Sequence, residues 1–88
     1  MPKITEIIDG DSIVVEGMKV RVANVDVTTR NEEAVAFLRR EWLGKEVLLR
    51  DDPKQGAKVV HGEVVKLVFY GNRSLTDELL KYGERLKF

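Results

Sequence analysis

Residues 8–24 read IDGDSIVVEGMKVRVAN. Asp9-Gly10-Asp11 and Glu16-Gly17 are turn signals, because Asp and Gly tolerate the left-handed backbone that a tight turn needs. Ser12 to Glu16 is β-rich. Met18 to Asn24 alternates, with Met18, Val20, Val22 and Asn24 on one side and Lys19, Arg21 and Ala23 on the other. Lys3 to Ile8, just upstream, is β-rich as well. Three strands joined by short turns predict an antiparallel meander.

Downstream the period changes. Thr29 followed three residues later by Glu32 forms a capping box. Ala34, Phe37, Leu38 and Trp42 then fall at helical spacing and make one apolar stripe. Arg39 and Arg40 suit the negative end of a helix dipole, and Gly44 is a natural stop. Glu46 to Arg50 predicts a fourth strand, and residues 51–58, DDPKQGAK, an exposed loop. Val59 to Tyr70 predicts one long strand with a bend or bulge at Gly62, and alternation with Val65 and Leu67 puts Phe69 in the core. Gly71-Asn72 turns the chain. Ser74 then caps a second helix, with Asp77 at its third position, Leu75, Leu79 and Leu80 on its apolar face, and Gly83 at its end.

The predicted order is β-β-β-α-β-β-α. A strongly bent five-stranded sheet protects its edges by closing, and a helix between strands three and four is the arrangement of the OB fold. The expected architecture is therefore a mainly β Greek-key barrel with two helices. A flat sheet with both helices on one face is the rival.

With 88 residues the chain is one domain, residues 1–88, with one core to stabilise it. Basic and acidic residues balance at 15 each, so any nucleic-acid site must be a local basic patch. There are no cysteines, which excludes disulfides and thiolate metal sites. No apolar run is long enough to span a bilayer, and the N-terminus enters a strand pattern at once, as expected without a signal peptide. A cytoplasmic protein without membrane association is the expectation. Few Asn and Gln with many Lys, Glu and Arg fit a thermophile's composition.

Four pieces recur in the order found in one known family. Ile8-Asp9-Gly10-Asp11-Ser12 is similar to its Ile-Asp-Gly-Asp-Thr turn. Val20-Arg21-Val22 and Val25-Asp26 resemble Val-Arg-Leu followed by the aspartate of Asp-Thr-Pro-Glu. Leu43-Gly44-Lys45-Glu46-Val47 is similar to Leu-Gly-Lys-x-Val. Leu75-Thr76-Asp77-Glu78-Leu79-Leu80-Lys81-Tyr82-Gly83 resembles Val-Asn-Glu-x-Leu-Val-x-x-Gly. Together they run from about Ile4 to Arg85 and resemble the staphylococcal-nuclease-like (thermonuclease) family of OB folds.

That resemblance implies a calcium-dependent phosphodiesterase ancestry acting on DNA and RNA. The family's two calcium-binding aspartates match Asp11 and Asp26, and the first of its two phosphate-holding arginines matches Arg21. The pattern then departs. Thr29 stands where the family has the glutamate proposed to activate water. Glu63, after His61-Gly62, stands where it has the second arginine. Typical members continue into a third helix, whereas this chain stops soon after the second.

The chemistry follows from those departures. Calcium takes six to eight oxygen ligands, so Asp11, Asp26, a carbonyl near Val27 and water would make only a weak, open site. The plain alternative is that Asp9 and Asp11 build a hairpin turn, while Asp26 accepts backbone hydrogen bonds or pairs with Arg21. The Arg21 fork suits a phosphate or a carboxylate equally. Thr29 cannot take a proton at neutral pH and serves better as a helix cap. Glu63 would place negative charge where a phosphorane needs positive. His61 is a base on a strand with nothing else to mark it.

The residues therefore argue against efficient hydrolysis. They favour a degenerate module binding single-stranded nucleic acid or a protein. A slow calcium-dependent nuclease is the second reading, and a structural or homodimeric role the third. For nucleic-acid binding the candidate aromatics are Phe69, Tyr70, Tyr82 and Phe88. The candidate cations are Arg21, Lys19, Lys58, Lys66 and Arg73. Charges of both signs around the first helix read as a solvated, salt-bridged face.

Overall fold

The computed structural model describes residues 2–25, 31–54, 56 and 58–86. The meander forms as expected: β1 (Ile4–Asp9), β2 (Ser12–Val15) and β3 (Met18–Val22) pair antiparallel in order. α1 spans Asn31–Glu41, followed by β4 (Leu48–Arg50), β5 (Lys58–Val60), β6 (Glu63–Tyr70), β7 (Arg73–Ser74) and α2 (Leu75–Leu86). The expected order of five strands and two helices is thus present, with two short strands added.

The sheet is mixed and runs β1-β2-β3-β6-β4, with β5 and β7 also paired to β6. β3 meets β6 in parallel, Val20 opposite Val64 and Val22 opposite Lys66. The register along β6 explains the extra strands. β4 pairs with residues 67–69 and β5 with residues 63–65, both antiparallel. β4 and β5 are therefore successive pieces of one partner strand, interrupted between Arg50 and Lys58. The continuous ladder does not close into a barrel. Instead an isolated bridge, Lys3 to Glu46, links the start of β1 to the segment before β4. Three backbone hydrogen bonds line this seam: Ile4 N–H to Lys45 O at 3.0 Å, Gly44 N–H to Ile4 O at 2.9 Å, and Val47 N–H to Pro2 O at 2.8 Å.

Turn chemistry shapes the hairpins, though not always as predicted. Val15 faces Met18 across Glu16-Gly17, and both turn residues have positive φ, 46° and 87°. That is the two-residue hairpin geometry whose twist matches paired strands. Val60 faces Glu63 across His61-Gly62 with φ of 52° and 79°. Gly62 is thus a hairpin turn and not the bend of one long strand, because two consecutive left-handed residues reverse the chain. The Gly10-Asp11 turn works without left-handed backbone. Its φ values are not positive, and irregular register in β1 absorbs the geometry. The same irregularity brings Ile4 and Ile7, three residues apart, onto the core side, where strict alternation would split them.

One core joins all layers. Ile4, Ile13, Val20, Val22, Leu38, Trp42, Val47, Val68, Leu75 and Leu79 are essentially inaccessible. The stripe of α1 is as expected, with Ala34, Leu38 and Trp42 buried and Phe37 half-buried. Two expectations are corrected. On β6 the residues facing the core are Val64 and Val68, so Phe69 lies on the opposite parity and is only half-buried. On α2 Leu75 and Leu79 are buried but Leu80 is 49 % exposed, and the helix runs through Gly83 to Leu86. Ser74 caps α2 as expected, its Oγ accepting from the Asp77 amide at 3.4 Å. The 51–58 loop is not wholly exposed. Asp52 is buried and accepts from the Lys54 amide at 3.0 Å, an Asx turn. Among the described residues no helix is long and apolar enough to cross a membrane.

Candidate functional site

Asp11 and Arg21 are brought together by the β2–β3 ladder. Ser12 is opposite Arg21, and the Val22 amide donates to the Asp11 carbonyl at 2.8 Å. The two side chains therefore sit at neighbouring register positions, and Arg21 Nη2 lies 3.4 Å from Asp11 Oδ2. The Asp11 side chain is only 10 % exposed, against 31 % for Arg21. Ser12 Oγ donates to the other carboxylate oxygen at 3.4 Å. α1 also holds this turn. Asn31, its first residue, accepts from the Gly10 amide at 2.7 Å and donates to Asp9 Oδ1 at 3.4 Å.

Arg21 lines an open groove of about 260 Å³ with Val22, Ala23, Asn24, Val25, Lys58, Val60 and Val65. Among the described residues its lining carries two cations, Arg21 and Lys58, and neither a carboxylate nor an aromatic ring. One wall is anchored from α2, where the buried Thr76 hydroxyl donates to the Ala23 carbonyl at 2.6 Å. Glu63 is not in the lining. It closes the β5–β6 hairpin opposite Val60, half-buried. Because Val60 and Val65 line the groove, Glu63, opposite the first and two residues from the second, shares the groove's face of the sheet.

The other expected site residues fall elsewhere. Asp26 and Thr29, and with them the second calcium ligand and the capping box, lie outside the described residues, as does Phe88. Among the described residues no three acids, histidines or cysteines gather as metal ligands. Asp11 faces a guanidinium through Oδ2, so a divalent cation there would share the carboxylate with Arg21. Of the candidate cations, Lys66 is paired to Asp51 and Arg73 to Glu78.

The aromatic side chains make a separate cluster. Arg73 Nε donates to Glu78 Oε2 at 2.6 Å and its Nη2 to Oε1 at 2.8 Å, while the Trp42 indole N–H donates to the same Oε1 at 3.1 Å. The guanidinium lies 5.0 Å from the Trp42 ring centre and 5.9 Å from that of Tyr70, and Lys45 Nζ lies 5.1 Å from Tyr70. The Arg73 fork, aided by the indole, holds the Glu78 carboxyl below the usual glutamate range, and Glu78 raises Arg73 in turn. Tyr82 stacks on Phe37 with ring centres 4.6 Å apart. Neither Tyr70 nor Tyr82 reaches the groove, so they give it no stacking platform.

Sequence reasoning missed the juxtaposition of Lys58 with Arg21, because it put Lys58 at the end of a loop. The usable signal was His61-Gly62 between two β-branched runs, a hairpin that folds Lys58 back beside β6. No protein-family model matches the chain, and no curated protein matches it significantly.

Proposed function

We propose that this chain is a degenerate staphylococcal-nuclease-like OB module that binds single-stranded nucleic acid by its phosphates and does not cleave it efficiently. Three features support the barrel. With β4 and β5 taken as one interrupted strand and β7 as a short extension, five strand positions remain, in the order 1-2-3-5-4. The third and fifth pair in parallel. The Lys3–Glu46 bridge joins the first strand to the chain entering the fourth. OB barrels hold single strands along a basic groove.

The observation that carries the binding reading is Arg21 lining an open groove whose described walls hold no carboxylate. A guanidinium fork fits a phosphodiester, and Asp11 Oδ2 lies 3.4 Å from its Nη2. The argument against cleavage is chemical. Thr29 offers no base, and losing one charge-stabilising donor already costs roughly a hundred- to thousandfold in rate.

Fluorescence anisotropy with a labelled single-stranded oligonucleotide at low salt tests this reading. The expected dissociation constant lies in the roughly 1–100 micromolar range of nonspecific phosphate binding, and it weakens as salt rises. Arg21→Gln should weaken it further. Absence of binding in that range removes the proposal. Calcium-dependent cleavage that is abolished by chelator and by Asp11→Ala would replace it with the slow phosphodiesterase.

A further inference from the structure

We infer that Lys58 is a second phosphate contact, so that the groove grips a nucleic-acid backbone from both sides of β6. The inference rests on the nucleic-acid reading above and adds a residue from a different strand. Val65 of β6 stands opposite Arg21 of β3 on one side and opposite Lys58 of β5 on the other. The three residues thus form one row across three strands. Directly paired residues point to the same face of a sheet, so Arg21 and Lys58 flank Val65 on one surface. Their Cα atoms are two strand spacings apart, about 9–10 Å.

Val65 lies between the two cations. It is only 4 % exposed, yet it lies outside the hydrophobic core cluster. On its own face of the sheet Arg21 and Lys58 are its cross-strand neighbours. Long basic side chains cover apolar surface with their stems while the charged heads stay in water. Both residues line the same groove with Val65.

The charge balance adds Lys58 to Arg21 as a contact for an anion. Arg21 already faces Asp11, so an incoming phosphate shares that guanidinium with a carboxylate. Among the described residues Lys58 makes no ion pair and no side-chain hydrogen bond, while Lys66 and Arg73 are paired. Lys58 is thus a second positive charge in the described lining, with Glu63 on the same face opposite Val60. A compact ammonium attracts a phosphate from many directions and reads no base, which predicts binding without sequence preference.

Salt-dependent anisotropy titrations of the full chain with oligo-dT and oligo-dA decide the matter. They compare the native protein with Lys58→Gln, Lys58→Arg, Arg21→Gln and, as a control outside the groove, Lys81→Gln. Circular dichroism checks that each variant is folded. Lys58→Gln should weaken both oligonucleotides alike and lower the slope of log K against log salt by about 0.7, one phosphate contact. At 50 mM salt that slope difference amounts to roughly an eightfold loss relative to 1 M. Lys58→Arg should keep native affinity, and Lys81→Gln should change little. If Arg21→Gln weakens binding while Lys58→Gln leaves affinity and slope unchanged, the Lys58 contact is wrong and the nucleic-acid reading stands. Equal losses from Lys58→Gln and Lys81→Gln would reduce Lys58 to net charge alone and overturn the contact. No binding by the native protein overturns both.

Discussion

Glu78 receives two hydrogen bonds from Arg73 and one from the indole of Trp42, with its side chain 24 % exposed. Because its folded pKa lies below the unfolded one, its stabilising share is complete above the ordinary glutamate pKa. That share is lost as pH falls through the depressed folded value. Glu78→Gln should cost about 1 kcal/mol at neutral pH, since one charge-assisted partnership is lost near solvent. For a domain of this size that lowers Tm by roughly 4–8 °C. Melting curves from pH 7 down to pH 3 should show the native protein approaching the variant at the acid end. Parallel curves would mean that Glu78 contributes nothing through its charge. At this scale the sequence was partly legible. The Asp-Gly-Asp turn and Arg21 were marked as candidates, and the ladder does put Asp11 beside Arg21. Asp26, expected either to accept backbone hydrogen bonds or to pair with Arg21, lies outside the described residues, and motif order alone does not say that a cross-strand register brings Asp11 near Arg21. The Trp42–Glu78 bond joins residues 36 apart in the chain, and no local pattern announces it.

The β5–β6 hairpin rests on two residues with left-handed backbone, His61 and Gly62. A Cβ added at Gly62 meets nothing within 4 Å, so a substitution there is opposed by backbone conformation alone. Gly62→Ala should therefore cost about 1–2 kcal/mol. His61→Asn should be neutral or stabilising by a few tenths of a kcal/mol, since Asn tolerates this region better. Urea unfolding of the two variants separates these signs. A loss at Gly62 no larger than that at an exposed strand position would mean the hairpin adopts another turn. The hairpin also explains why elements were read unevenly. β1 and β2 follow from β-rich composition between turn signals, β3 from alternation and α1 from helical spacing, all of which local chemistry controls. β6 was read on the wrong parity because Val64, Val65, Leu67, Val68 and Phe69 put apolar residues on both faces, and the one charge among them, Lys66, shares the parity of the core-facing Val64 and Val68. α2 passes through Gly83 because packing of Leu75 and Leu79 outweighs the modest helix cost of one glycine.

Across the whole molecule, the core takes buried side chains from β1, β2, β3, α1, β6 and α2, so no element has a separate interior. The seam between the start of β1 and residues 44–47 is short, yet Ile4 and Val47 on either side of it are buried in that same core. The meander and the helix between strands were legible, whereas the unclosed ladder was not, because closure depends on which distant segments meet at one bridge. Shared burial predicts that the seam does not open as a unit of its own and that unfolding is a single transition. Trp42, the only tryptophan, reports from next to the seam, its carbonyl accepting from the Lys45 amide at 3.0 Å. Far-UV circular dichroism reports on the sheet and helices together. The two signals should give one urea midpoint. Leu38→Ala removes a fully buried side chain on the α1 stripe and should lower stability by about 2–5 kcal/mol. That is a large share of the roughly 4–13 kcal/mol available to 88 residues. In that variant the two midpoints should fall together with an unchanged dependence on urea. A fluorescence transition preceding the loss of circular dichroism would show that the seam and its helices release before the meander, and the single-core argument would fail.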